Sequence, residues 1–78
     1  MPRFFFHLLD RERLVDEDGQ ELPDLDAARQ EAIRNARAIM ADEVGRGRLP
    51  LTPVIEVTSE AGQVLLTVPF AEVVRIDG

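Results

Sequence analysis

The groups that could do chemistry in this chain are few. It has one imidazole, His7, and no cysteine. A lone histidine beside a carboxylate such as Asp10 can move protons in acid–base catalysis. It cannot supply a histidine-rich zinc site, and the sequence places no nucleophile around it. A histidine filling a half-buried strand position is the plainer account. The densest run of acids, Asp16-Glu17-Asp18-Gly19 followed by Glu21, Asp24 and Asp26, invites a calcium loop. With Gly19 at the sixth position of the EF-hand pattern, Asp18 and Asp16 fall at the fifth and third, as ligands should. The first and twelfth positions are then Leu14 and Leu25, so both ends of the loop lack ligands. A solvated acidic loop leading into a helix N-terminus explains the run better.

Three weaker patterns have plainer structural accounts. Gly45-Arg46-Gly47-Arg48 lacks the Walker spacing and follows a helix C-terminus, the wrong dipole end for a phosphate. Pro50 and Pro53 match a PxxP ligand only formally; a stiff connector accounts for them. Ser59 has no nucleophile elbow around it. The chain is therefore expected to be no enzyme and to bind no cofactor or metal.

The elements that must position these residues follow from periodicity. Residues 3–9 read as a strand with Phe4, Phe6 and Leu8 on one face and Phe5, His7 and Leu9 on the other. Both faces are largely apolar, as in a strand covered twice. Residues 10–12 turn the chain, 13–16 offer a short second strand, and 17–21 read as a surface loop with a turn at Asp18-Gly19. Asp24 is the expected N-cap of a helix, with Asp26 in its first turn and Leu22 packing back on Ala28. Leu25, Ala28, Ala32, Ile33, Ala36, Ile39, Met40 and Val44 recur at three- and four-residue steps and form one apolar stripe. Ala28, Ala32 and Ala36 lie on one line, which lets the helix sit close to a sheet. Gly45 is expected to end it, with Arg46 and Arg48 complementing its C-terminal carbonyls.

After the 49–53 connector, residues 54–58 and 63–68 form a hairpin around Ser59-Glu60-Ala61-Gly62. A four-residue loop pairs Val57 with Val64 and Ile55 with Leu66. A three-residue loop with a bulge at Gly62 shifts that register, and the sequence leaves both open. Residues 70–74 suit either a helical turn or a bent continuation, and 74–76 could add a last short strand. The order β-β-α-β-β predicts an α+β fold with two layers, an antiparallel sheet packed on one long helix.

Totals bound the function. Seventy-eight residues make a single domain, 1–78, too small to bury a large core without disulfides, a metal or a partner chain. Disulfides are excluded, so self-association is the expected support. Fifteen acids face nine bases, all arginine, for a net charge of −6, which repels a phosphate backbone and an anionic membrane surface alike. The apolar run at 4–9 is too short for a signal peptide core or a membrane span, which makes the cytoplasm the expected compartment.

Several stretches also carry a resemblance. Met1-Pro2-Arg3-Phe4-Phe5-Phe6-His7, then residues 16–19, Leu22-Pro23-Asp24-Leu25 with Ala27-Ala28, and Val64-Leu65-Leu66-Thr67-Val68-Pro69-Phe70 are similar to an uncharacterised family of small stand-alone bacterial proteins. The resemblance covers nearly the whole chain and implies that it is complete. It implies no activity, since that family is a domain of unknown function.

The sequence is thus read as a non-catalytic interaction or regulatory module, a homodimer or a binder of another protein through a sheet face or edge. Phe5, His7, Leu9 and Leu65 are the candidate surface, because they cannot join the face that packs on the helix if Phe4, Phe6 and Leu8 do. The competing cover for them is the C-terminal segment from Phe70. The alternatives are a small-ligand or catalytic domain centred on His7 and nearby acids, and an antitoxin-like regulator, which rests on fold analogy alone.

Overall fold

The doubly apolar stretch at the N-terminus becomes the central strand of a sheet. In the computed structural model, which describes residues 1–77, β1 (Arg3–Leu9) pairs antiparallel with β4 (Val54–Thr58), and β4 pairs antiparallel with β5 (Val64–Pro69). On its other edge β1 meets two short segments. These are β2 (Arg13–Leu14), beside its C-terminal end, and β3 (Gln20–Glu21), beside its N-terminal end. The path is β2-β1-β4-β5, with β3 paired to β1 off that path. The fold is α+β, and one two-residue strand adds to the expected order.

The region expected to be a strand at 13–16 and a loop at 17–21 is instead one edge strand broken in the middle. Leu14 pairs with Leu8 and Gln20 pairs with Phe4. An unbroken strand would have put Asp18 opposite Phe4, so two extra residues are accommodated between the segments. Such insertions bend a strand and re-aim its side chains. The aimed side chain is Asp16.

Helix α1 (Leu25–Gly45) starts where the sequence places it: Asp24 caps it, its carboxylate accepting the Ala27 N–H at 2.8 Å. It ends at Gly45 as expected, but the left-handed glycine that caps it is Gly47, at φ +86°. The Arg48 N–H bonds to the Glu43 carbonyl and the Gly47 N–H to that of Val44, both at 2.9 Å. That is a Schellman arrangement, and it satisfies carbonyls left over by the last turn. Arg46 and Arg48 turn their guanidinium groups to the carboxylates of Asp42 and Glu43 rather than to the carbonyls.

Ala28, Ala32, Ala36 and Met40 are buried along one line of α1, which lies over β4 and β5. Phe4, Ile55, Val57 and Val68 complete the core from the sheet. Each fully buried large side chain here contributes roughly 1.5–3 kcal/mol. Phe70 and Val73 join the same core, carried by a 3₁₀ turn (Phe70–Glu72) directly after β5. The Phe70 N–H bonds to the Pro53 carbonyl and Arg37 Nε donates to the Val73 carbonyl, both at 2.9 Å. The C-terminal segment thus covers the helix side of the sheet, and residues 74–76 form no strand. Gly78 lies outside the described residues.

The hairpin takes the second of its two open turns. Ser59 N–H bonds to the Gln63 carbonyl and Gly62 N–H to the Ser59 carbonyl, with Gly62 at φ +83°. Thr58 then faces Val64, and the register slips once more, so that Val57 faces Leu66 and Ile55 faces Val68. Leu65 is the extra residue of that bulge. It packs against the core, which removes it from the candidate uncovered surface.

Candidate functional site

The face of the sheet turned away from the helix is ordered by cross-strand register. Leu9, Val54 and Pro69 form one row across β1, β4 and β5, and all three are half-buried. His7, Glu56 and Thr67 form the next row, then Phe5, Thr58 and Val64. The face is striped: an apolar row, a polar row, and a mixed row with Val64 half exposed at 50 %. Arg13, opposite Leu9, reaches over to Glu56 at 3.1 Å.

His7 is the centre of this face and is only 7 % exposed. Both its nitrogens are engaged. Nε2 lies 2.9 Å from Thr58 Oγ1, and Nδ1 accepts the backbone N–H of Asp16 at 3.1 Å. Accepting at Nδ1 assigns the ring's hydrogen to Nε2, which donates to the threonine. Asp10, the example of a nearby acid that could share chemistry with His7, is exposed; the acid residue that meets the ring is Asp16, through its backbone N–H.

Asp16 fastens the edge that the two extra residues interrupt. Its Oδ2 accepts the Phe6 N–H at 3.1 Å, standing in for the strand carbonyl missing at that point. Its Oδ1 accepts the N–H groups of Asp18 and Gly19, each at 3.1 Å. Partial burial pushes this carboxyl up, but the N–H groups of Gly19, Phe6 and Asp18, helped by His7, outweigh it and hold the acid below its ordinary range. Gly19, at φ +69°, closes the loop against β1. A Cβ there would stand 2.8 Å from Phe5 Cε2 and 2.9 Å from the Phe4 carbonyl oxygen. Phe5 in turn stacks on His7, ring planes 5° apart and centroids at 6.4 Å.

The acidic loop, residues 16–19, is therefore the cover over Phe5 and His7, and it leaves the Leu9 row outside. Among the described residues no buried side-chain nitrogen or oxygen lacks a partner, and no three histidine or acid side chains gather as metal ligands. A groove of about 530 Å³ lined by Leu8, Ile39, Leu49 and Phe70, among others, does not reach His7. Of the cluster, the sequence reading did not single out Thr58, and it considered Asp16 only as a calcium ligand. Asp16 had a signal: an acid three residues before a glycine, the pattern of a side chain that closes its own turn. Thr58 had none.

These features define a small two-layer α+β domain whose only imidazole is built into the fabric of its sheet. The chain belongs to the family described as Domain of unknown function (DUF6894), which matches residues 3–71. No curated protein and no solved structure matches it. No helix among the described residues is long and apolar enough to cross a membrane.

Proposed function

We propose that this protein is a non-catalytic interaction module that pairs with a second copy of itself through the sheet face opposite the helix. The observation that carries the reading is the in-register apolar row Leu9, Val54 and Pro69, extended by half-exposed Val64, on the face the helix does not cover. Two such faces can pack as a sandwich at about 10 Å. A stable pair needs roughly 600–800 Å² from each partner, a modest share of the 5375 Å² this chain exposes. The catalytic alternative is disfavoured by the same geometry. A working acid or base needs a nitrogen free to reach substrate, whereas His7 has both engaged. The reading takes the protein to be cytoplasmic, because the apolar run at 4–9 is too short for a signal peptide core or a membrane span, and without nucleic-acid or membrane partners, on the strength of its net charge of −6.

Sedimentation equilibrium tests it. The protein is expected to run as a dimer at micromolar concentration, and Val54→Glu, which sets a charge in the middle of the row, to run as a folded monomer. A native chain that stays monomeric at every concentration, or a Val54→Glu dimer as tight as the native one, sinks the proposal.

A further inference from the structure

We propose that the 16–19 loop is a strap held shut by the neutral imidazole of His7, and that protonation of His7 releases it. The tautomer is the starting point. Nδ1 accepts the Asp16 N–H at 3.1 Å and so carries no hydrogen; Nε2 gives its own to Thr58 Oγ1 at 2.9 Å. A proton arriving from solvent must bind the ring's one basic lone pair, on Nδ1, the same pair that accepts the Asp16 N–H. It then points at the Asp16 N–H. Two donors cannot share that line, and the amide lets go.

The carboxylate of Asp16 does not rescue the strap. The new imidazolium attracts it, but its oxygens already hold the N–H groups of Phe6, Asp18 and Gly19. A carboxylate that swings to the ring abandons those bonds. The other charges around His7 are committed elsewhere. On its own strand Arg3 pairs with Glu21 and donates to the Asp18 carbonyl. On β4, Glu56 stands directly opposite His7 and is held by Arg13 of β2. Glu17 and Asp18, on the strap itself, are exposed.

Release has a consequence. Gly19 seals the ring edge of Phe5, so lifting the strap uncovers a phenylalanine stacked on a charged imidazole and enlarges the apolar ground of the face. The inference stands whether or not the chain pairs with itself.

The test is nuclear magnetic resonance on the intact, isotope-labelled protein. At neutral pH the ring ¹⁵N shifts are expected to report hydrogen on Nε2. As the ring titrates, the Asp16, Asp18 and Gly19 amides lose hydrogen-exchange protection by roughly five- to tenfold, the worth of one such bond. Their midpoint coincides with that of the ring, and the Val57 and Met40 amides stay protected. His7→Gln, which cannot titrate, gives strap protection that is flat over the same range. Hydrogen on Nδ1, strap amides that stay protected through the ring's titration, core amides that fail with them, or an unchanged pH response in His7→Gln would each overturn the proposal.

Discussion

Replacing Gly19 by alanine tests the strap at its tightest point, and the structure supplies both the magnitude and the control. At φ +69° an L-residue with a side chain is strained, by roughly 1–2 kcal/mol. The added methyl also meets Phe5 Cε2 at 2.8 Å, Arg3 Cγ at 2.9 Å and the Phe4 carbonyl oxygen at 2.9 Å. Arg3 can swing away, but the carbonyl belongs to β1 and cannot move without the strand, so overpacking adds roughly 1–3 kcal/mol. The sum is about 2–5 kcal/mol. Gly62→Ala separates the two contributions, because Gly62 has φ +83° and open space where its Cβ would be. It is expected to lose only the backbone share. A domain of this size is stable by roughly 4–12 kcal/mol, and each kcal/mol lost lowers Tm by about 4–8 °C. With no tryptophan or tyrosine, urea unfolding is best followed by far-ultraviolet circular dichroism. Equal losses in Gly19→Ala and Gly62→Ala would show that the loop does not press on Phe5, and the account of what covers this face would fail with it.

Two further outcomes follow from bonds already described. Asp24→Ala removes the acceptor of the Ala27 N–H and is expected to reduce stability by about 1 kcal/mol; an unchanged thermal midpoint would mean that the helix start needs no cap. Asp16→Asn leaves one carbonyl oxygen where two carboxylate oxygens served three N–H groups, for a loss of roughly 1–3 kcal/mol at neutral pH. The sign of its pH dependence is fixed. The folded acid sits below the ordinary 3.8, so its charge-linked stability is complete above that value and lost as pH falls through the lower folded one. In the His7→Gln background, where the strap stays shut, urea midpoints with and without Asp16→Asn should therefore stay apart from pH 7 down to about 4 and converge in stronger acid. A gap that is constant to the acid limit would show that the charge of Asp16 does no work.

How much of this was legible depends on where each feature's free energy resides. Strand β1 and helix α1 are written in side-chain periodicity, because burial of whole residues decides them. Phe4 and the Ala28–Ala32–Ala36 line therefore fall where the pattern puts them. The helix ends were legible in kind, since a cap needs a particular side chain, but Gly45 and Gly47 are chemically the same signal two residues apart. Strand β3 was invisible. Gln20 and Glu21 are exposed and polar, and their pairing is a matter of backbone bonds alone, which leave no trace in hydropathy. The side of the sheet that Leu65 occupies was hidden for a related reason: one inserted residue turns every later side chain to the other face, and nothing in Val64-Leu65-Leu66 marks which of them is the extra one. The site shows the same divide. Sequence reasoning found His7 and asked which acid could share its chemistry, so it looked for a carboxylate beside the ring. The structure joins them through the Asp16 amide, a group every residue but proline has, and spends the carboxylate on backbone. His7 marks the place where this sheet borrows a side chain to replace a missing strand bond, which explains why an ionisable residue sits buried within the otherwise apolar run at 4–9.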